Sequence, residues 1–362
     1  MSVDTLQLHD LSQRLWLDVV TRQLLFNRTQ AGDAAELWLN GTLPKRTLFE
    51  RGNTDGSGRA DSGGSSEPGE LSGEDLVFEL AMQDLKDAAD RVRGVHDTSG
   101  GRDGWVSLEV SPLLATDDYG TVRAALQLHE RAARPNLLIE IPATPENMPA
   151  IEQAIFLGIP LNVTLLFARE HCTAVARAYM RGVERRVAAG VDPAVDCLAS
   201  LVISGWDVAV SDHTSAPLHN RLGIAVAMRS TKAWRDELAT ERWQVLAGAG
   251  ARAPRLLWDD AGARHPAAGI LIETLAATGT IDTVPVATLL ACADGSNVAA
   301  RHFADTELGD PMLEGFWGKG IDLAAHTARL ERERAIACSA SWSQLLAQNR
   351  QRVWKPQQAQ ST

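Results

Sequence analysis

The chain has 362 residues, of which 45% are hydrophobic, with a formal net charge of -11 and a pI near 5.3. That acid balance argues against nucleic acid or an anionic membrane as the main partner, and no apolar run approaches the roughly 20 residues of a membrane span. The length fits one large α/β domain or two of medium size, and Met1-Ser2-Val3-Asp4 lacks the basic-then-apolar layout of a signal peptide.

Taken in chain order, residues 4–13 pattern as a short helix and Leu15 to Val19 as a first strand with Asp18 near its end. Gln30 to Leu39 patterns as a helix, and Gly41-Thr42-Leu43-Pro44 as a brief strand or turn leading into Lys45 and Arg46. Residues 51–75 differ in kind: Gly, Ser, Asp and Glu dominate, and Ala60 and Leu71 are the only aliphatic side chains. Such a stretch buries too little surface to offset ordering, so a flexible loop is expected there.

An alternation follows. Helical periodicity over Val77 to Val95, Tyr119 to Ala133, Met148 to Leu157 and Glu170 to Ala189 is interleaved with strands at Trp105 to Val110, Leu137 to Ile141, Pro160 to Leu166 and Val195 to Ile203. A long helix is expected from about Leu218 to Leu246, then strands at Arg255 to Trp258 and Thr280 to Val284 flanking a helix at Ala267 to Ala277. Val286 to Ala293 and Leu323 to Arg352 close the chain as helices. Repeated βα units with near-continuous apolar strands imply a parallel sheet buried on both faces. Eight strands over this length predict an α/β (β/α)8 TIM-type barrel with extra terminal helices, one domain over residues 1–362, with an open doubly wound sheet as the runner-up. No GxGxxG and no GxxxxGK[ST] loop follows a strand, which weighs against nucleotide-binding versions.

In such a barrel the site lies at the C-terminal ends of the strands. Polar residues within or just after apolar strands are therefore the candidates: Asp18, Lys45, Arg46, Glu109, Glu140, Asn162, Thr164, Ser200, Ser204, Asp259 and Asp260. Glu140 stands out, because Leu137, Leu138, Ile139 and Ile141 surround it and a carboxylate there must be paired, hydrogen-bonded or protonated. Alternation puts Asn162 and Thr164 on one face, and Glu140 on the face of Leu138. The bland counterpart is a salt-bridge network at the barrel mouth, with Lys45 or Arg46 neutralising Glu140. No histidine lies on a strand, and neither a metal nor a cofactor is expected. The four cysteines, Cys172, Cys197, Cys292 and Cys338, are scattered without a CxxC pair, which fits reduced thiols in a cytoplasmic protein.

Several phrases together resemble the transaldolase family in its longer bacterial form. Gly104-Trp105-Val106-Ser107-Leu108-Glu109-Val110-Ser111-Pro112 is similar to the family's third-strand motif, and Pro135 to Thr144 to its fourth, PNL-x-IKIPAT. Gly158 to Phe167 is similar to its fifth, and Asp282-Thr283-Val284-Pro285 to its eighth-strand region. The resemblance implies a barrel fold and a Schiff base between a fourth-strand lysine and a ketose phosphate. Proton transfers would run through an aspartate, a glutamate and a threonine holding a water. Residue by residue, it matches the aspartate to Asp18 and the glutamate to Glu109. It matches the fifth-strand pair to Asn162 and Thr164, the sixth-strand serine to Ser200, and the lysine to Glu140. A carboxylate forms no imine.

Other matches depart as well. Lys45 stands where the family keeps an asparagine, Gly205 follows Ser204 where it keeps an arginine, and Asp260 replaces a phosphate-binding serine, with the cation of Arg264 nearby. From these departures the expected function is a transaldolase-like enzyme that makes no lysine Schiff base. Glu140, with Asp18 and Glu109, would do general acid/base work on a polyol or carbonyl substrate, with Asn162, Ser200, Arg46, Asp260 and Arg264 binding it. The alternatives are a Schiff base moved to Lys45, and a non-catalytic metabolite binder or scaffold.

Overall fold

The computed structural model of the chain describes residues 14–17, 73–210, 221–259, 280–284 and 309–358. In chain order the strands are β1 (Arg14–Leu17), β2 (Val106–Glu109), β3 (Leu137–Pro142), β4 (Leu161–Leu166), β5 (Cys197–Val202), β6 (Arg255–Asp259) and β7 (Thr280–Val284). The helices are α1 (Gly73–Thr98), α2 (Asp118–Ala132), α3 (Met148–Leu157), α4 (Arg169–Ala188), α5 (Ser204–Val210), α6 (Leu222–Leu238), α7 (Glu241–Gly248), α8 (Gly309–Trp317) and α9 (Leu323–Gln358).

The strands form one sheet in the order β1-β7-β6-β5-β4-β3-β2. Pairing is parallel between β1 and β7, and from β3 through β7 in succession. From β2 to β7 each strand lies beside its successor, and β1 lies beside β7, an order consistent with a (β/α)8 TIM-type barrel. The second of the eight expected strands, at 41–44, lies outside the described residues.

Burial explains why the strands read as apolar runs. Every residue of β3 and of β5 is buried. On the outward face Ile139, Ile141, Leu161 and Val163 are wholly shielded, each contributing roughly 1.5–3 kcal/mol of transfer free energy. Helices α3 and α4 approach closely over Gly182, where a Cβ would lie 2.7 Å from Glu152 O and 2.8 Å from Ile155 Cβ. Helix α3 ends at Gly158, in the left-handed region at φ +84°.

The chain divides into two compact units: residues 1–18, 107–133 and 137–337 in one, and 19–106, 134–136 and 338–362 in the other. The first holds nearly all of the sheet and an apolar cluster of Phe167, Val202, Trp206, Leu222, Leu313 and Phe316. In the second, Arg134 pairs with Asp90 at 2.6 Å, and Asn136 Nδ2 donates to Ala89 O at 2.8 Å and Gly104 O at 2.9 Å.

Most expected elements sit within two residues of their predicted bounds. The long helix expected over 218–246 is instead two, α6 and α7, because the Thr240 side chain accepts from Trp243 N–H and starts a new helix. Helix α1 begins at Gly73, inside the stretch expected as loop, with Glu74 and Asp75 in its first turn, where acids favour the helix N-terminus. Helices α5 and α8 were not anticipated. The helices expected at 4–13, 30–39, 267–277 and 286–293 lie outside the described residues. Cys172, Cys197 and Cys338 are buried and form no disulfide. Among the described residues no helix is long and apolar enough to cross a membrane.

Candidate active site

Four adjacent strands each contribute one polar side chain to a continuous hydrogen-bonded line. Ser107 of β2 donates through Oγ to Glu140 Oε1 of β3 at 2.5 Å. Asn162 of β4 donates through Nδ2 to the same oxygen at 3.2 Å, and Ser200 Oγ of β5 donates to Asn162 Oδ1 at 2.6 Å. Glu140 and Asn162 are each 7% exposed and Ser200 3%. The strand register produces this juxtaposition: Glu140 lies opposite Asn162, and Pro142 opposite Thr164, so their side chains share a face. The cost of placing a carboxylate within an apolar strand is offset by donors built into the neighbouring strands.

Strand β4 changes register with β5 between Val163 and Leu166, and Leu165 takes φ +61°. A bulge of this kind re-aims side chains beside a site, and a branched residue in the left-handed region is strained. The bulge falls immediately after Thr164. Thr164 Oγ1 is buried and makes no hydrogen bond to the described residues, which leaves a hydroxyl for a bound water or substrate. Glu109 is half-buried, two residues beyond Ser107 on the same face of β2.

The structure thus brings together Glu140, Asn162 and Ser200, puts Thr164 on the same face of the neighbouring strand, and puts Glu109 on the face of Ser107. Asp18, Lys45, Arg46, Asp260 and Arg264 lie outside the described residues. Ser107 was missed. Its signal was its place two residues before Glu109, which gives both side chains one face. Among the described residues no three His, Cys, Asp or Glu side chains are grouped to hold a metal ion.

Residues 64–349 match a family profile described as transaldolase/fructose-6-phosphate aldolase. The chain is 34% identical over 365 residues to Transaldolase 1 of Streptomyces coelicolor, with 94% of this chain and 92% of that protein covered. It is 34% identical over 348 residues to the transaldolase of Thiobacillus denitrificans, covering 93% and 97%. It is 32% identical over 359 residues to the transaldolase of Saccharopolyspora erythraea, covering 96% of each.

These matches overturn the expected function. The reading of an enzyme without transaldolase chemistry, with a moved Schiff base or a non-catalytic binder as alternatives, set a few positions around Glu140 against the rest of the chain. Proteins named transaldolase match it at 32–34% identity over nearly their whole length. The chain belongs to the transaldolase/fructose-6-phosphate aldolase family.

Proposed function

We propose that the chain is a transaldolase, which cleaves a ketose phosphate at a carbon–carbon bond and passes the ketone fragment to an aldehyde acceptor. The near-full-length similarity to proteins of that name carries the reading. The polar wall on β2 to β5 supports it, because aldol cleavage needs a base for the substrate hydroxyl and hydrogen-bonding groups that orient a polyol.

In this reading Glu109 and Asp18 exchange protons with the substrate, and the hydroxyl of Thr164 holds a water. Asn162 and Ser200 contact substrate oxygens, and Arg46 and Arg264 supply positive charge for the phosphate. Glu140 accepts hydrogen bonds and exchanges a proton; as a carboxylate it is not the group that captures the carbonyl. Buried cysteines that form no disulfide fit a reducing compartment such as the cytoplasm.

The test is turnover of fructose 6-phosphate with an aldehyde acceptor, followed by release of the aldehyde phosphate. Fragment transfer to the acceptor is the expected result, and a folded chain giving none would overturn the proposal.

A further inference from the structure

We infer that Ser107 is a positioning residue that fixes the carboxylate of Glu140 in the wall of the site. Its role in turnover rests on the transaldolase reading; the contact itself does not. Ser107 Oγ lies 2.5 Å from Glu140 Oε1, at the short end of the range of about 2.5–2.7 Å for a hydroxyl donating to an ionised carboxylate. Asn162 Nδ2 donates to the same oxygen at 3.2 Å, so Ser107 is the closer of these two donors.

The two bonds have a chemical consequence. An oxygen that accepts from both Ser107 and Asn162 is not the one carrying a proton. Ser107 and Asn162 thus both favour the ionised form at Oε1 and fix the plane of the carboxylate. Asn162 in turn ties the carboxylate to β5, because its amide oxygen accepts from Ser200 at 2.6 Å. Ser107 also lies two residues from Glu109 on one face of β2, so one short segment of strand presents an acid and orients the acid on the next strand.

Carbon-13 NMR of protein labelled at the glutamate carboxyls reads this directly, with the Glu140 signal assigned by its loss in Glu140→Gln. Removing a donor from an ionised carboxylate raises its titration midpoint, here by about one pH unit in Ser107→Ala. For fructose 6-phosphate, kcat should fall about tenfold with a smaller change in KM, since the bond orients a proton-exchanging group. Ser107→Thr, which keeps the hydroxyl, should restore both. Ser107→Cys, a weak donor of similar size, should move the midpoint in the same direction and serves if the alanine form does not fold. An unmoved Glu140 signal in a folded Ser107→Ala or Ser107→Cys protein would overturn the inference. The NMR reading needs no turnover, so a protein that transfers no carbon fragment but shows the shift sinks the proposed function and leaves the Ser107–Glu140 link standing.

Discussion

Asp207 is buried on α5, 6% exposed, and its carboxylate serves a different helix. Oδ1 accepts from Leu222 N–H at 2.9 Å and Oδ2 from Gly223 N–H at 3.2 Å. These are the first two amides of α6, whose own N-cap residue, Arg221, makes no side-chain capping bond. Asp207 is thus a tertiary cap that meets two orphan donors with a negative charge at the positive end of the helix. Loss of an ordinary N-cap costs about 1 kcal/mol, and hydrogen bonds to a charged group are worth about 1.5–3 kcal/mol each. These overlap, and part is returned when the buried carboxylate is removed, so Asp207→Ala should cost about 3 kcal/mol. Asp207→Asn, which keeps one acceptor, should cost about 1 kcal/mol on the same scale. Hydrogen exchange with mass spectrometry is the assay, because α6 can open locally before the whole chain unfolds. Peptides from the start of α6 should exchange about 100-fold faster in Asp207→Ala, the equivalent of nearly 3 kcal/mol. Exchange at α6 within about threefold of the parent, in a variant otherwise intact, would refute the capping argument.

Other buried groups also have measurable consequences. Tyr179 is fully buried, with its hydroxyl 3.0 Å from Val195 O and 2.6 Å from Arg252 O; Tyr179→Phe should cost about 1–2 kcal/mol in chemical denaturation, and no loss would mean the contacts are worth nothing net. Burial holds His171 below the ordinary imidazole value, against the opposing pull of Glu331 and Glu170, and holds His129 below it too. Between those lowered values and 6.5 the unfolded chain binds protons that the folded chain does not. Stability is then full above that window and falls as pH drops through it, so the urea midpoint should be lower at about pH 5.5 than at about pH 7.5, and less so in His171→Gln. Burial pushes the Cys172 thiol up to about 12; a maleimide at about pH 8 should label it only after unfolding, and fast labelling of the native protein would contradict its burial.

The fold was largely legible because strands buried on both faces leave a plain record. Leu137 to Ile141 and Pro160 to Leu166 appear as apolar runs of strand length, and alternation put Asn162 with Thr164 on one face and Glu140 with Leu138. What was not legible depends on contacts across the chain. Nothing local to Ser107 shows that it donates to a residue 33 positions away. The break at Thr240 turns on one side-chain bond inside an otherwise helical pattern. The strained Leu165, with a branched side chain at positive φ, runs against local preference, and it packs against the apolar cluster around Phe167 and Trp206. Function was misjudged for a related reason. One acid at position 140 was weighed as though it governed the chemistry of a chain whose remaining length is shared with transaldolases.

The line of Ser107, Asn162 and Ser200 has one more property. Each member can be donor or acceptor: the hydroxyls rotate, and the amide can turn end for end. With an ammonium at position 140, Ser107 would present a lone pair, Asn162 would turn its oxygen inward, and Ser200 would accept from the amide nitrogen. The surround is amphoteric, so the sign of charge at its centre can invert by a single substitution with no other side chain replaced. A wall of this kind lets a lineage exchange an acid for a base at the heart of its barrel while the strands around it stay as they were.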